Sequence, residues 1–269
     1  MDLKLPKRPE SGHKGTFGTI VIYGGMISDQ AVMLGGPALS ARAALRSGVG
    51  LAVFLGDKDV VVRLIEMVPQ AIGIGSDADI SKKAKKWNSI VLGPGLGINK
   101  SNINLIDSLL KLNIPTIIDA DGLNTMAEYP ELFGSIHPQC ILTPHVKEFK
   151  RLAKAIAVKD ADKLANKLGS VVVLKSSNTL VTDGTRSWHS NSPNPALATG
   201  GTGDVLAGLI GGLLAQYSPG NLSVFECARL GVEIHSATAI RWRREHGSGG
   251  LLIEEILKLI PNVMEKMRT

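Results

Sequence analysis

Short apolar runs alternate along this chain with longer stretches whose apolar residues recur every three or four positions. The runs at 19–23, 51–55, 90–92, 116–118, 141–143 and 171–174 are nearly continuous in apolar residues. Unbroken runs of this length predict parallel strands covered on both faces, whereas half-exposed strands would alternate. Helical spacing is expected over 38–47, 58–68, 102–112, 147–156 and 160–168. The alternation predicts βαβ units and an α/β fold, with a central, mostly parallel sheet and helices on both faces. Beyond residue 175 the rhythm changes: two β-prone runs at 179–182 and 186–189 flank Asp183-Gly184, a hairpin turn signal. A polar loop at 190–195 follows, and then helices near 203–217, 223–245 and 251–266. No linker, repeat or low-complexity segment interrupts the pattern, so residues 1–269 are read as one domain.

Composition narrows the function. Hydrophobic residues make up 44% of the chain and charged ones 20%, enough for a large core and incompatible with wholesale disorder. Five Phe, three Trp and three Tyr leave little for a base-stacking surface, which disfavours a single-strand nucleic-acid binder. The net charge of +6 favours anionic partners, and small phosphorylated molecules satisfy it as well as nucleic acid does. The densest basic stretches, Lys82-Lys83 with Lys85-Lys86 and Arg241 with Arg243-Arg244, read as solvated helix faces. Cys140 and Cys227 offer neither a disulfide framework nor a zinc spacing. With no apolar leader at the start and no apolar stretch long enough to cross a bilayer, a soluble, cytoplasmic protein without membrane contact is expected.

The polar groups with chemical potential cluster just past predicted strands. Asp119 and Asp121 follow the run at 116–118, His145 the run at 141–143, and Lys175 the run at 171–174. In open α/β sheets ligands bind outside the carboxyl ends of the strands, so these side chains are candidates to converge on one crevice; singly, each also reads as a turn residue or cap. The strongest feature is Thr199-Gly200-Gly201-Thr202-Gly203-Asp204, which leads directly into an apolar helix. Glycines let backbone N–H groups face a ligand, and the helix start adds partial positive charge, a combination suited to phosphate. Asp204 at that position can accept a proton from a substrate hydroxyl; the bland alternative is an N-cap, a role Thr202 could fill instead. Gly93-Pro94-Gly95-Leu96-Gly97 follows a strand but lacks the dinucleotide-binding spacing, and no Walker motif occurs. Gly24-Gly25 and Gly35-Gly36-Pro37 read as backbone devices, Pro37 suiting a first helical turn. The histidines show no metal spacing, and no serine has a nucleophile-elbow context.

Taken together, these segments resemble the ADP/ATP-dependent NAD(P)H-hydrate dehydratases of the ribokinase-like superfamily. The matching stretches are His13-Lys14-Gly15-Thr16-Phe17-Gly18, the run from Gly36-Pro37 to Gly48, the 93–97 turn, Asp119-Ala120-Asp121-Gly122, Thr143-Pro144-His145 with Glu148, the strand ending at Lys175, and the 198–208 segment, all in family order. The resemblance implies a ribokinase-like fold and a metabolite-repair reaction: dehydration of the S-epimer of hydrated NADH or NADPH, with ADP or ATP as co-substrate and magnesium as cofactor. By position, Asp204 would be the catalytic base and touch the hydrate, while Gly36, Gly97, His145 and Glu148 would contact the hydrated dinucleotide. Lys175, Ser176, Ser177, Asn178 and Thr179 would line the nucleotide site, and Gly200, Gly201, Thr202 and Gly203 would hold the transferring phosphoryl group. The family implies a homo-oligomer. No epimerase segment is legible, so a separate epimerase is expected in the pathway. The chain departs from the family pattern at Val146-Lys147, at Ser176, and in a longer stretch at 26–34. The alternative is a kinase of the same fold that phosphorylates a hydroxylated vitamin precursor; it would use the same anion loop and Asp204.

Overall fold

The computed structural model describes residues 3–218 and 220–268. The first half contains β1 (Thr19–Tyr23), β2 (Met26–Ile27), β3 (Val32–Met33), α1 (Gly35–Ser47), β4 (Leu51–Gly56), α2 (Lys58–Met67), β5 (Ile72–Gly75), α3 (Ile80–Ala84), β6 (Ser89–Leu92), α4 (Ile103–Leu110), β7 (Thr116–Ile118) and α5 (Asp121–Glu128). The second contains β8 (Cys140–Leu142), α6 (Val146–Ala155), α7 (Ala161–Leu168), β9 (Val171–Leu174), β10 (Leu180–Thr182), β11 (Ser187–His189), α8 (Thr202–Tyr217), α9 (Val224–His246) and α10 (Ile253–Lys266).

Nine strands form one sheet in the order β11-β10-β9-β8-β7-β6-β1-β4-β5, while β2 and β3 pair with each other as a small hairpin. Every pairing from β5 to β9 is parallel, and β10 runs antiparallel to both of its neighbours. The sequence-based strands are all present. Three differences have local causes. The expected strand at 141–143 is Cys140–Leu142, and Thr143 lies just beyond it, where its hydroxyl turns to Asp119. Strand β5 was not expected, because Ile72-Gly-Ile-Gly75 is short and glycine-rich at an exposed sheet edge. Helix α5 was not expected either, since its first residues double as the loop after β7.

Alternation within each strand divides the core in two. Ile20, Ile22, Phe54, Val91, Ile117 and Ile141 point to one face, packed under α1, α2, α8, α9 and α10. Val21, Tyr23, Val53, Leu92, Ile118 and Leu142 point to the other, covered by α3 to α7. Both faces being covered explains why the strands read as unbroken apolar runs.

Helix α8 lies at the centre of the first layer and owes its seat to glycine. A Cβ on Gly208 would lie 2.1 Å from the Ser40 carbonyl oxygen of α1, one on Gly211 would meet Ile20 and Val91 of the sheet at 2.7 and 2.8 Å, and one on Gly212 would meet the Ser47 hydroxyl at 2.1 Å. The Ser40 hydroxyl donates to the Asp204 carbonyl at 2.9 Å, so α1 also holds the first turn of α8. Chain order reverses direction across the sheet at β1 and β6, which marks the edge where ligands bind in such folds. There the loops after β1 and β6 touch, the Gly25 N–H donating to the Pro94 carbonyl at 2.9 Å. Among the described residues no helix is long and apolar enough to cross a membrane.

Candidate active site

Four loops at the carboxyl edge of the sheet and the amino end of α8 meet in one place. The α8 start is unusual in its capping. Its N-cap is Gly201, with φ of 92° and no side-chain cap, so neither Asp204 nor Thr202 fills that role. The Thr202 hydroxyl is used elsewhere, donating to the Leu197 and Thr199 carbonyls at 3.0 Å each, which ties the preceding turn to the helix. The N–H groups of a first helical turn have no intrahelical acceptor, so Gly203 and its neighbours present donors toward an anion.

Asp204 stands in this first turn with its carboxylate against α1, where a Cβ on Gly36 would lie 2.9 Å from Oδ1. Burial, reinforced by the negative charge of Asp119 and opposed by Lys175, pushes the Asp204 carboxyl up to about 7. A carboxyl poised there changes state near neutrality, which is what general acid–base chemistry would need of it. Replacing Gly36 by Ala is expected to push this carboxylate aside, because the obstructing atom belongs to a side chain that can rotate. The expected outcome is a roughly 10-fold or greater fall in kcat with little change in melting temperature, read from steady-state kinetics and a thermal melt.

Behind Asp204 lies a half-buried ion pair. The Lys175 ammonium donates to Asp119 Oδ1 at 2.6 Å, and the Thr143 hydroxyl donates to the same oxygen at 2.8 Å. Burial alone would lower the Lys175 ammonium, but Asp119, Glu148 and Asp204 hold it above its ordinary value. Between Asp119 and Asp121, Ala120 takes a φ of 48°, rare for a residue with a side chain, and this turns the chain sharply out of β7 into α5. Asp121 then accepts from the Gly97 N–H at 2.9 Å and from the Asn124 amide at 3.2 Å, tying the 93–97 loop to α5.

His145 and Glu148 form a capping box at the start of α6. His145 Nδ1 accepts from the Lys147 and Glu148 backbone N–H groups, and Glu148 Oε2 accepts from the His145 N–H at 2.8 Å. Burial, then the nearby Lys175 and Arg151 charges, lower the imidazole's pKa, while burial raises that of the Glu148 carboxyl. A neutral imidazole is what this capping role demands, since a protonated ring cannot accept. The loop after β8 joins the one after β9 by a bridge between His145 and Lys175, the Lys175 N–H donating to the Pro144 carbonyl at 2.8 Å.

A cavity of about 620 Å³ opens beside these groups. His145, Lys175, Ser176, Ser177, Thr179, Thr202 and Gly203 line it, so most of the expected nucleotide contacts share one wall. Asn178 is outside the lining and closes a turn by donating its N–H to the Ser176 hydroxyl; Gly200 and Gly201 also fall outside it. The opposite wall went unread in the sequence: Asn194, Leu197, Val232 and the buried His235, 7% exposed, complete the cavity. Its only sequence signal was the polar loop at 190–195. His235 gave none, being one polar position on an otherwise ordinary helix face.

Two other segments fall elsewhere. The stretch from His13 to Gly18 precedes β1, at the amino edge of the sheet, away from Asp204. It serves as scaffold there: a Cβ on Gly50 would lie 1.7 Å from the Lys14 carbonyl oxygen. The longer stretch at 26–34 forms the β2–β3 hairpin, packed onto the 93–97 loop, with Met26 Sδ 2.6 Å from where a Gly97 Cβ would stand. The lysines at 82, 83, 85 and 86 are exposed, as a solvated face requires.

Comparison with known proteins gives this geometry a context. A family model described as NAD(P)H-hydrate dehydratase matches residues 24–262. The chain is 33% identical to the ADP-dependent (S)-NAD(P)H-hydrate dehydratase of Bacillus subtilis, covering 97% of this chain and 94% of that protein. It also spans about half the length of the bifunctional NAD(P)H-hydrate repair enzymes it matches. Among solved structures, a ribokinase-like superfamily protein from Enterococcus faecalis superposes with a TM-score of 0.83 at 27% identity, covering 99% of this chain and 93% of that one. The Bacillus subtilis ADP/ATP-dependent NAD(P)H-hydrate dehydratase, co-crystallised with ATP and magnesium, gives 0.76 at 29% identity, with 98% and 95% covered. The fold is therefore ribokinase-like, and the chain belongs to the NAD(P)H-hydrate dehydratase family.

Proposed function

We propose that this chain dehydrates the S-epimer of hydrated NADH or NADPH at the expense of ADP or ATP, restoring the reduced cofactor and releasing phosphate with AMP or ADP. The observation that carries the reading is Asp204: a carboxylate brought to about 7 by burial, at the amino end of a helix whose preceding loop is glycine-rich, against Gly36 and next in sequence to the cavity-lining Thr202 and Gly203. The cavity lining, together with the family membership, supports a nucleotide on the Lys175 side; of the residues expected at the hydrate, His145 lines the cavity, Glu148 pairs with it in the α6 cap, Gly36 lies against Asp204 and Gly97 is tied to Asp121.

The chemistry follows from leaving-group strength, since hydroxide leaves a saturated ring poorly and phosphate leaves well. Asp204 accepts the proton of the ring hydroxyl as its oxygen bonds to the terminal phosphorus of the nucleotide, and the phosphoanhydride bond breaks to release AMP or ADP. The ring nitrogen then pushes out phosphate with the C–O electron pair, and loss of a proton from the neighbouring carbon restores the double bond. Positive ends of the α8 peptides and the Lys175 ammonium face the charge that develops on the phosphoryl oxygens. Among the described residues no group of three or more His, Cys, Asp or Glu side chains could hold a metal. Magnesium, when bound, would ride on the nucleotide phosphates and offset their charge.

The test is direct. Purified protein is mixed with enzymatically hydrated NADH, magnesium and either ADP or ATP, and the reduced-nicotinamide absorbance is followed. Recovery that depends on the nucleotide is the expected result and names the donor. No recovery from folded protein that still binds nucleotide would overturn the reading in favour of a small-molecule kinase.

A further inference from the structure

Asp119 carries the most deeply buried carboxyl of the site, 1% exposed, yet it is set back from the cavity lining. What it holds is the ammonium of Lys175, at 2.6 Å, and the Thr143 hydroxyl fixes the acceptor oxygen from the other side at 2.8 Å. The ammonium itself stands against the first turn of α8, 3.4 Å from where a Cβ on Gly203 would lie, one residue from Asp204. Three carboxylates thus act on Lys175, those of Asp119, Glu148 and Asp204, and it is bound to Asp119.

We propose that Asp119 is a positioning residue that keeps the Lys175 ammonium off the Asp204 carboxylate, leaving Asp204 unpaired as a base and the cation aimed at the phosphoryl group. This rests on the reading of Asp204 and Lys175 given above. An Asp204–Lys175 ion pair would cost catalysis twice. It would weaken the base, because an adjacent cation stabilises the carboxylate and lowers its proton affinity. It would also draw the cation away from the phosphate. Asp119 prevents both, because its bond to Lys175 is short, half-buried and braced by a second donor.

The charged and titratable groups around the pair are consistent with this division. Asp204 is acted on by Asp119, Asp121 and Lys175. On the far side of Lys175 stand Glu148, His145 and Arg151, at the start and first turns of α6. His235 of α9 also faces Lys175; burial takes its imidazole down to about 4, so it adds no charge near neutrality. Lys175 is therefore the cation nearest the base, and Asp119 the carboxylate bound to it.

Asp119→Asn tests the inference, because the amide preserves shape and removes charge. The kcat/KM profile against pH, with hydrated NADH, magnesium and ADP, is expected to lose its acid limb near 7 and regain one about 1 unit or more lower, with a plateau reduced roughly 10- to 100-fold. Asp119→Glu, which keeps the charge, is expected to restore the limb toward its wild-type position. Asp119→Ser, smaller and equally uncharged, repeats the measurement should the Asn variant not fold. The same downward shift is expected in a carbon-13 NMR titration of the Asp204 carboxyl, which needs no substrate and so stands even if the proposed reaction fails. A lowered plateau with an unmoved limb, or an Asp204 titration unchanged in the uncharged variants, would show that Asp119 merely supports the fold and would overturn the inference.

Discussion

Asp204→Asn is expected to reduce hydrate-dependent phosphate release by about 10²- to 10⁴-fold, the usual worth of a positioned general base. The amide keeps the size of the side chain beside Gly36 but cannot accept the hydroxyl proton. Nucleotide affinity is expected to stay within a few-fold of wild type, because the cradle is built from the α8 backbone and the cavity from other side chains. The same variant carries a stability signature of definite sign. Folded Asp204 titrates near 7 against an ordinary value of 3.8. Between those values the folded chain retains a proton that the unfolded chain has lost, so wild-type stability falls as pH rises through that window. Asn has no such dependence at this position. The variant is therefore expected to melt higher than wild type at pH 8 and to lose this advantage at pH below 4, as read by thermal unfolding at both. A variant that turns over at near wild-type rate would remove Asp204 from the mechanism, and one less stable at pH 8 would contradict its burial as a charged group.

Gly208→Ala is expected to lower stability substantially. Its new methyl would stand 2.1 Å from the Ser40 oxygen and 2.6 Å from the Ser40 carbonyl carbon, all backbone atoms that no side-chain rotation can move. Helices α1 and α8 must then separate, with a cost of roughly 3 kcal/mol, at the upper end of ordinary overpacking. For a chain of this size that corresponds to a fall of about 6–12 °C in melting temperature. Activity is expected to fall more than folding alone explains, because the Ser40 hydroxyl that holds the Asp204 carbonyl moves with α1. Gly134→Ala serves as the control: nothing lies within 4 Å of its would-be Cβ, and its melting temperature is expected to be unchanged. Equal melting temperatures for the two variants would mean that the α1–α8 contact can relax.

The strands and most helices were legible in the sequence because a sheet covered on both faces imposes unbroken apolar runs, and the intervening helices impose their own period. Strand β5 escaped because edge strands are short and need not be apolar, and α5 because Asp121 reads as a loop residue until the turn at Ala120 is seen. Within the site, the groups just past strand ends and the glycine loop before Asp204 were legible, since topology delivers them to one edge regardless of side-chain detail. The pairings were not. Nothing in the spacing of Asp119, Thr143 and Lys175 says that they share one oxygen, and nothing marks His145 as an imidazole spent on capping a helix. Such choices are made by distances between loops from different strands. The second wall of the cavity, contributed by α9 and the 190–195 loop, comes from residues whose types carry no chemistry until a neighbour is placed opposite them.

The glycines of α8 also constrain how this protein can change. Gly208, Gly211 and Gly212 make three close contacts with two neighbours: α1 at Ser40, the sheet at Ile20, and α1 again at Ser47. Because they lie at different angles around the helix, they index its rotation as the teeth of a key do. A turn of one residue, about 100°, would bring Leu209 and Leu213 to the two α1 contacts in one direction, or Ile210 to the sheet contact in the other, and carry Asp204 out of its crevice. The placement of the Asp204 carboxylate is thus set four to eight positions downstream of it, in glycines packed against α1 and the sheet. Substitution is correspondingly restricted in α8 at the three glycines that face α1 and the sheet.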